Sequence, residues 1–202
     1  MLAGAYSSYV IIAKQQQRVS AFAEVQESGI PTIRLLSRDL RMTGRIAYDA
    51  NMDPAIGAIT TPITITDSGD ACCDTLQITY DDGNDVRNRV TYFTQVRTNP
   101  ARNALYMDVE NWDVASSSWT TVTDGAIVTD YVEDFQAEGS DLNGSSNPQI
   151  EDVAFVIRSI NTKAQSSVYE RPDHIIGNYD FSFDDNFHRD EFTATINIKN
   201  LR

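Results

Sequence analysis

The sequence predicts an α+β fold in which a long N-terminal α-helix, kinked near Pro31, packs on an antiparallel β-sheet head. Three observations support this class. Apolar residues recur at helical spacing up to Gly44, the period then changes to two, and the charge divides at the same place. Residues 1–45 carry a net charge of +3, whereas residues 46–202 carry −16. We therefore expect a helical stalk over residues 1–45 and a β-rich globular head over residues 46–202.

The stalk is predicted from an apolar stripe. Steps of three and four residues, with Gly29 continuing the row, place its members on one side of a helix. The members, which we expect to pack in the core or in a filament of helices, are Val19, Phe22, Val25, Ile33, Leu36 and Leu40. Pro31 removes a backbone donor and clashes with the preceding turn, so the sequence predicts a kink or a restart there. Gly44 is the expected end of the helix.

The first thirteen residues form an uncharged, mostly apolar segment that ends before Lys14. The segment is shorter than the roughly 20 residues that span a bilayer, and it lacks the basic start and cleavage site of a secretory signal. Tyr6 and Tyr9, followed by Lys14 and Arg18, are typical of an apolar helix that emerges into water. We expect the segment to be the trailing half of a longer apolar helix, the alternative being a turn of a core helix.

The head is predicted from residues that alternate between apolar and polar, as in half-buried strands. Leu76–Tyr80 and Val90–Val96 alternate on either side of the turn-forming residues 81–85, which predicts a hairpin with a wide loop. Further strands are expected at residues 105–109, 126–135, 153–157 and 192–198. Residues 140–148 and 161–177 are expected to be polar connectors.

Composition and motifs limit the function classes. The chain has 29 acidic and 16 basic residues, a balance that repels phosphate backbones, so we expect no nucleic-acid binding. His174 and His188 both lie in polar stretches, and the sequence contains no Gly-x-Ser-x-Gly, Gly-rich phosphate loop or His-Glu-x-x-His. Close pairs of carboxylates are inevitable among so many acids and do not by themselves indicate a hydrolase. We expect no enzyme, no catalytic residue and no cofactor.

We also expect no metal site. Cys72 and Cys73 are adjacent, and the two further ligands that zinc needs are not nearby in the sequence. The pair can form a strained disulfide, stay as free thiols or bond to another chain, and the sequence leaves these alternatives open. Residues 81–85 and 184–186 offer oxygens that calcium accepts, but without EF-hand spacing we interpret them as a hairpin turn and a strand-end loop.

Several segments together resemble the PilW-type minor pilins of type IV pili. The stalk residues 25–29 (Val-Gln-Glu-Ser-Gly) and 35–44 (Leu-Leu-Ser-Arg-Asp-Leu-Arg-Met-Thr-Gly) are similar to that family's stalk, and residues 187–200 are similar to its closing strand. Residues 74–80 and 132–136 also fit the family pattern. The family's Phe-Thr-Leu-Ile-Glu start is not in the sequence, and Asp190 and Glu191 stand where the family is often basic.

The resemblance implies a structural subunit that primes pilus assembly and is located at or near the pilus tip. It implies other minor pilins and the major pilin as partners. It also implies that the N-terminal helix of the full-length protein lies in the bacterial inner membrane before assembly, and that the subunit is part of the extracellular pilus afterwards. Burial of apolar helix surface against other helices would drive assembly.

Two alternatives have their own grounds. A J-type pseudopilin of a type II secretion system shares the stalk-and-sheet design. A tip adhesin is suggested by Trp112 and Trp119 on either side of Ser116, Ser117 and Ser118, because exposed indoles near a loop tip can stack on sugars. Packing within a hairpin is the ordinary role for such a tryptophan pair.

Overall fold

The computed structural model describes residues 2–69, 72–82, 86–98, 100–140, 150–170, 176 and 181–198. Within these residues the chain forms one helix, α1 (Leu2–Met42), and strands in two antiparallel sheets. The strands are β1 (Ile63–Thr66), β2 (Thr75–Asp81), β3 (Arg87–Thr98), β4 (Ala101–Asp113), β5 (Ser118–Asp130), β6 (Val132–Ser140), β7 (Ile150–Glu170) and β8 (Ser182–Asn197).

The predicted α+β class, with a long helix packed on a sheet, is wrong because the protein is mostly β. Strands make up 56% of the described residues, and they form two sheets. Much of the unexpected strand lies in β7 and β8, which are 21 and 16 residues long. They extend through residues 161–170 and 184–186, where the sequence predicted a connector and a loop. These polar segments pair with each other largely outside the main core, so they lack the apolar alternation that reveals a half-buried strand.

α1 runs through Pro31 as a single 41-residue helix, so the chain does not restart there. Next to it, the Thr32 hydroxyl donates a hydrogen bond to the Ser28 carbonyl oxygen at 2.8 Å. The helix ends at Met42, two residues before the predicted end at Gly44, whose φ of +71° suits glycine just after a helix C-terminus. The Gly44 amide then donates to the Thr79 carbonyl oxygen at 2.9 Å, which ties the end of the helix to β2.

The first sheet is a meander of five strands in the order β1-β2-β3-β4-β5. Leu76 pairs with Tyr92 and Ile78 with Val90 across β2 and β3, which confirms the predicted hairpin. Residues 83–85 of its turn lie outside the described residues, as do residues 141–148, 171–175 and 177 of the expected connectors.

The chain changes sheets at Tyr131. β5 ends at Asp130 in the first sheet, and β6 begins at Val132 in a second sheet of order β6-β7-β8. Tyr131 has a φ of +61°, an uncommon conformation for a residue with a side chain. The strand predicted at residues 126–135 is therefore divided between the two sheets.

The main core lies where α1 meets both sheets. Its buried apolar residues from the helix are Val25, Leu36 and Leu40, and those from the first sheet are Ile63, Leu76, Ile78, Val90, Tyr92 and Leu105. The second sheet and the residue that follows β8 contribute Val132, Phe135, Ala137, Val153, Phe155, Ile157, Phe192, Ile196 and Ile198. At Gly29 the helix comes so close to β8 that a Cβ atom would stand 2.0 Å from Cζ of Phe192. The glycine therefore permits the close approach of helix and strand.

Candidate functional site

The apolar surface of α1 divides into an exposed and a buried part. We call the exposed part the N-terminal helix surface; its members, 50% to 71% exposed, are Tyr6, Tyr9, Ile11, Ile12, Val19 and Phe22. In the second half of the helix, Val25, Leu36 and Leu40 are fully buried, and Ile33 packs partly buried against them. The predicted stripe is thus core at four positions, whereas Val19 and Phe22 face solvent.

Isolated exposed apolar residues are normal, but these six share one stretch of a single helix. Ile12 and Val19 are seven residues apart, and Ile11 and Phe22 are eleven apart, so each pair returns to nearly the same side of the helix. The stretch therefore offers apolar contacts that a neighbouring helix would cover. Within the described residues, α1 lacks the length and apolar character together that crossing a membrane requires.

Docking of α1 on the second sheet begins near Phe22. The Phe22 ring lies 5.6 Å from the His188 ring on β8, and Gln26 Nε2 donates a hydrogen bond to Asp190. Burial lowers the pKa of His188. The Asp190 carboxylate thereby anchors the helix to β8.

A second polar link joins α1 to the first sheet. Asp39, although only 1% exposed, accepts hydrogen bonds from the Tyr92 hydroxyl at 2.7 Å and from Arg38 Nε at 2.6 Å. Burial raises the pKa of Tyr92 well above its usual range, and the nearby Asp39 carboxylate raises it further. The buried carboxylate is thereby paired, and the helix is held at a fixed rotation on the sheet.

The change of sheets at Tyr131 is held by two arginines. Arg102 of the first sheet and Arg158 of the second lie over the Tyr131 ring, 5.2 Å and 4.7 Å from its centroid. The Arg158 amide also donates to the Tyr131 carbonyl oxygen at 3.1 Å. Cation–π contacts with one arginine of each sheet fix the residue at which the sheets join.

Arg189 on β8 forms a buried cluster of ion pairs within the second sheet. Its side chain, 1% exposed, donates to Glu133 on β6 and to Asp185 on its own strand at 2.7 and 2.8 Å. Its guanidinium lies 4.3 Å from the centroid of the Phe183 ring. Burial raises the pKa of Glu133, an effect that Arg189 opposes, whereas Arg189 lowers the pKa of Asp185. Since these charges are matched, the cluster is a structural clamp rather than a site with unpaired positive charge.

Trp112 and Trp119 form a cross-strand pair on β4 and β5 beside the turn at residues 114–117. Their rings meet edge to face at 5.2 Å, and the Arg89 guanidinium lies 4.3 Å from the centroid of the Trp119 ring. The two rings therefore contact each other within the hairpin, and Trp119 also contacts Arg89 of the neighbouring strand β3. The pair packs as a hairpin pair does, and the arrangement does not favour a sugar-stacking platform.

The acidic stretches considered for calcium have local partners. Asp81, fully buried on β2, accepts two hydrogen bonds from Arg87 at 2.7 and 3.1 Å, and Asp82 accepts one from the Val86 amide. Asp185 lies within β8 and binds Arg189, so the strand-end loop predicted at residues 184–186 is wrong.

Our sequence analysis did not identify two features, the burial of Glu151 and the position of Asp134 next to the cysteine pair. Glu151 on β7 is fully buried, and neither carboxylate oxygen has a hydrogen-bond partner within the described part of the chain. Burial raises its pKa to about 8, with smaller contributions from Asp152 and Glu138. Cys72 and Cys73 are bonded to each other, and the structure brings Asp134 beside them. Glu151 could have been identified from the sequence, because strand alternation places it on the same face of β7 as the buried Val153.

The comparisons with protein-family models, with curated proteins and with solved structures found no match.

Proposed function

We propose that the protein is a structural minor pilin of the type IV pilus, which primes assembly and sits at or near the tip with other minor pilins. It has no catalytic role in this proposal. Its partners are other minor pilins and the major pilin. Its place is the bacterial cell envelope, in the inner membrane through the N-terminal helix before assembly and in the extracellular pilus afterwards.

The observation that carries the proposal is the N-terminal helix surface. Six apolar side chains are exposed on one helical stretch, while the fully buried side chains of the same helix begin at Ala21. Removing one such side chain from water contributes roughly 1.5–3 kcal/mol, so covering several of them would drive association with another helix. Because the stalk and strand motifs resemble those of PilW-type minor pilins, we infer that the partner helix belongs to another pilin.

The test introduces a charged residue into the N-terminal helix surface and is carried out in the bacteria that produce the protein. Val19→Asp should abolish co-purification with sibling pilins and reduce surface pili counted by electron microscopy, because a carboxylate cannot be buried unpaired between helices. The matched control is Val122→Asp on β5, since Val122 and Val19 are 59% and 67% exposed. Val122→Asp should leave both readouts unchanged.

Equal co-purification and equal numbers of pili for the two variants would refute the proposal. Loss of protein secretion with intact pili would instead assign the helix surface to a pseudopilin of a type II secretion system. Both outcomes depend on a folded head, which the thermal unfolding midpoint of each purified variant verifies.

A further inference from the structure

The fold brings together three metal-ligand groups that are distant in the sequence. The sulfur atoms of Cys72 and Cys73 and a carboxylate oxygen of Asp134 all lie within 4.8 Å of one another. Asp134 is fully buried on β6, and both cysteines are partly buried. The sequence showed the cysteine pair alone, and a third ligand is what the structure adds.

The segment that carries the cysteines is fixed against β6. The Asp74 amide donates to the Phe135 carbonyl oxygen at 2.8 Å. The Asp74 carboxylate accepts hydrogen bonds from the Ala137 amide at 3.0 Å and from the Ser68 amide at 2.9 Å. The two bonds to β6 lie directly after Asp134 along the strand, at Phe135 and Ala137. The three ligand groups are therefore held close by backbone pairing rather than by chance contact of flexible side chains.

Asp134 is also oriented. Gln136, only 1% exposed, donates from Nε2 to Oδ1 of Asp134 at 2.8 Å. Hydrogen bonds of this kind set the direction of ligating carboxylates in metal sites, and their loss weakens metal binding. The carboxylate thus reaches the cysteines in a defined orientation.

We propose that the reduced Cys72–Cys73 pair and Asp134 bind one Zn²⁺ ion, independently of the function proposed above. In the structure the two sulfur atoms are bonded to each other, so the site forms only after reduction. A phosphine reductant takes the disulfide to two thiols while it becomes the phosphine oxide, with oxygen from water. Zinc then displaces one proton from each thiol, because thiolates are the ligands. Two sulfurs and one oxygen leave the fourth tetrahedral position for water.

The test measures zinc affinity by competition with a chromophoric chelator, on the whole chain under argon, with and without phosphine. The reduced protein should bind one Zn²⁺ per chain. The oxidised protein and the doubly substituted Cys72→Ser, Cys73→Ser chain should bind no more than the acidic surface does. Asp134→Asn should weaken binding by at least the roughly 10- to 100-fold that loss of an outer hydrogen-bond partner costs.

Two further variants make the result decisive. Asp113→Asn removes an exposed carboxylate at the last residue of β4 and should leave the zinc affinity unchanged. Asp134→Cys supplies a third thiolate, so it should tighten binding and strengthen the thiolate-to-metal charge-transfer band when Cd²⁺ is the probe. Zinc binding by the reduced chain no stronger than by the double serine variant would overturn the proposal. An affinity that neither substitution of Asp134 alters would overturn it as well.

Discussion

Glu151 should make the stability of the protein fall as the pH rises. The side chain is fully buried, and its two oxygens lack hydrogen-bond partners among the described residues. Burial raises its pKa from 4.5 to about 8, so the folded state keeps the proton that the unfolded chain releases above pH 4.5. The stability that this proton contributes is fully present below pH 4.5 and is lost as the pH rises through 8.

The magnitude follows from the separation of the two pKa values. At roughly 1.4 kcal/mol for each pH unit, the destabilisation is about 3 kcal/mol at pH 7 and about 5 kcal/mol well above pH 8. Glu151→Gln keeps the size of the side chain and removes the titration. The difference in unfolding free energy between the variant and the wild type should therefore change by about 4 kcal/mol in favour of the variant between pH 5 and pH 8.5.

Urea unfolding followed by circular dichroism at several pH values in that range measures the difference directly. The comparison with the variant matters because His188, whose pKa burial lowers, makes stability rise with pH in both proteins. Glu170→Gln is the control, since Glu170 is an exposed residue at the end of the same strand, and its curve should run parallel to that of the wild type. Parallel curves for the wild type and Glu151→Gln would refute the reasoning.

Three further substitutions test how α1 is docked. Gly29→Ala should destabilise by about 1–3 kcal/mol despite the better helix propensity of alanine, because its Cβ would overlap the Phe192 ring; a higher urea midpoint would show that the ring yields freely. Tyr92→Phe should cost about 1.5–3 kcal/mol by removing the hydrogen bond to the buried Asp39 carboxylate, and an unchanged urea midpoint would contradict this. Leu36→Asp should lower the thermal midpoint sharply or prevent folding, since Leu36 is fully buried; an unchanged midpoint would mean that this face is exposed.

Periodicity predicted those parts of the fold whose side chains alternate between core and solvent. Leu76 and Ile78 alternate in this way, and their pairing with Tyr92 and Val90 is as expected. The end of α1 was predictable near Gly44 because a positive φ there requires a residue without a Cβ atom. These are local properties, and one segment of sequence suffices to reveal them.

The division into two sheets was not predictable because it depends on a residue that gives no local signal. Tyr131 adopts a positive φ without being glycine, and Arg102 and Arg158 from different sheets hold its ring. The same applies to Asp134, which meets Cys72 and Cys73 only through strand placement. The sequence likewise could not show which members of the apolar stripe of α1 are buried. Their exposure depends on how far along the helix the two sheets extend, and this is a property of the tertiary structure.

The distribution of contacts along α1 separates the two kinds of effect that substitutions in it should have. Tertiary bonds to β8 and β3 are made by Gln26 and Asp39, and the fully buried side chains of the helix begin at Ala21. A polar substitution at an exposed position such as Val19 leaves these contacts intact, so its effect should fall on association and not on unfolding. A substitution at Leu36 should do the reverse. If Val19→Asp lowered the unfolding free energy as much as a core substitution, the N-terminal helix surface would have to be covered by the chain itself, and the argument for a partner helix would fail.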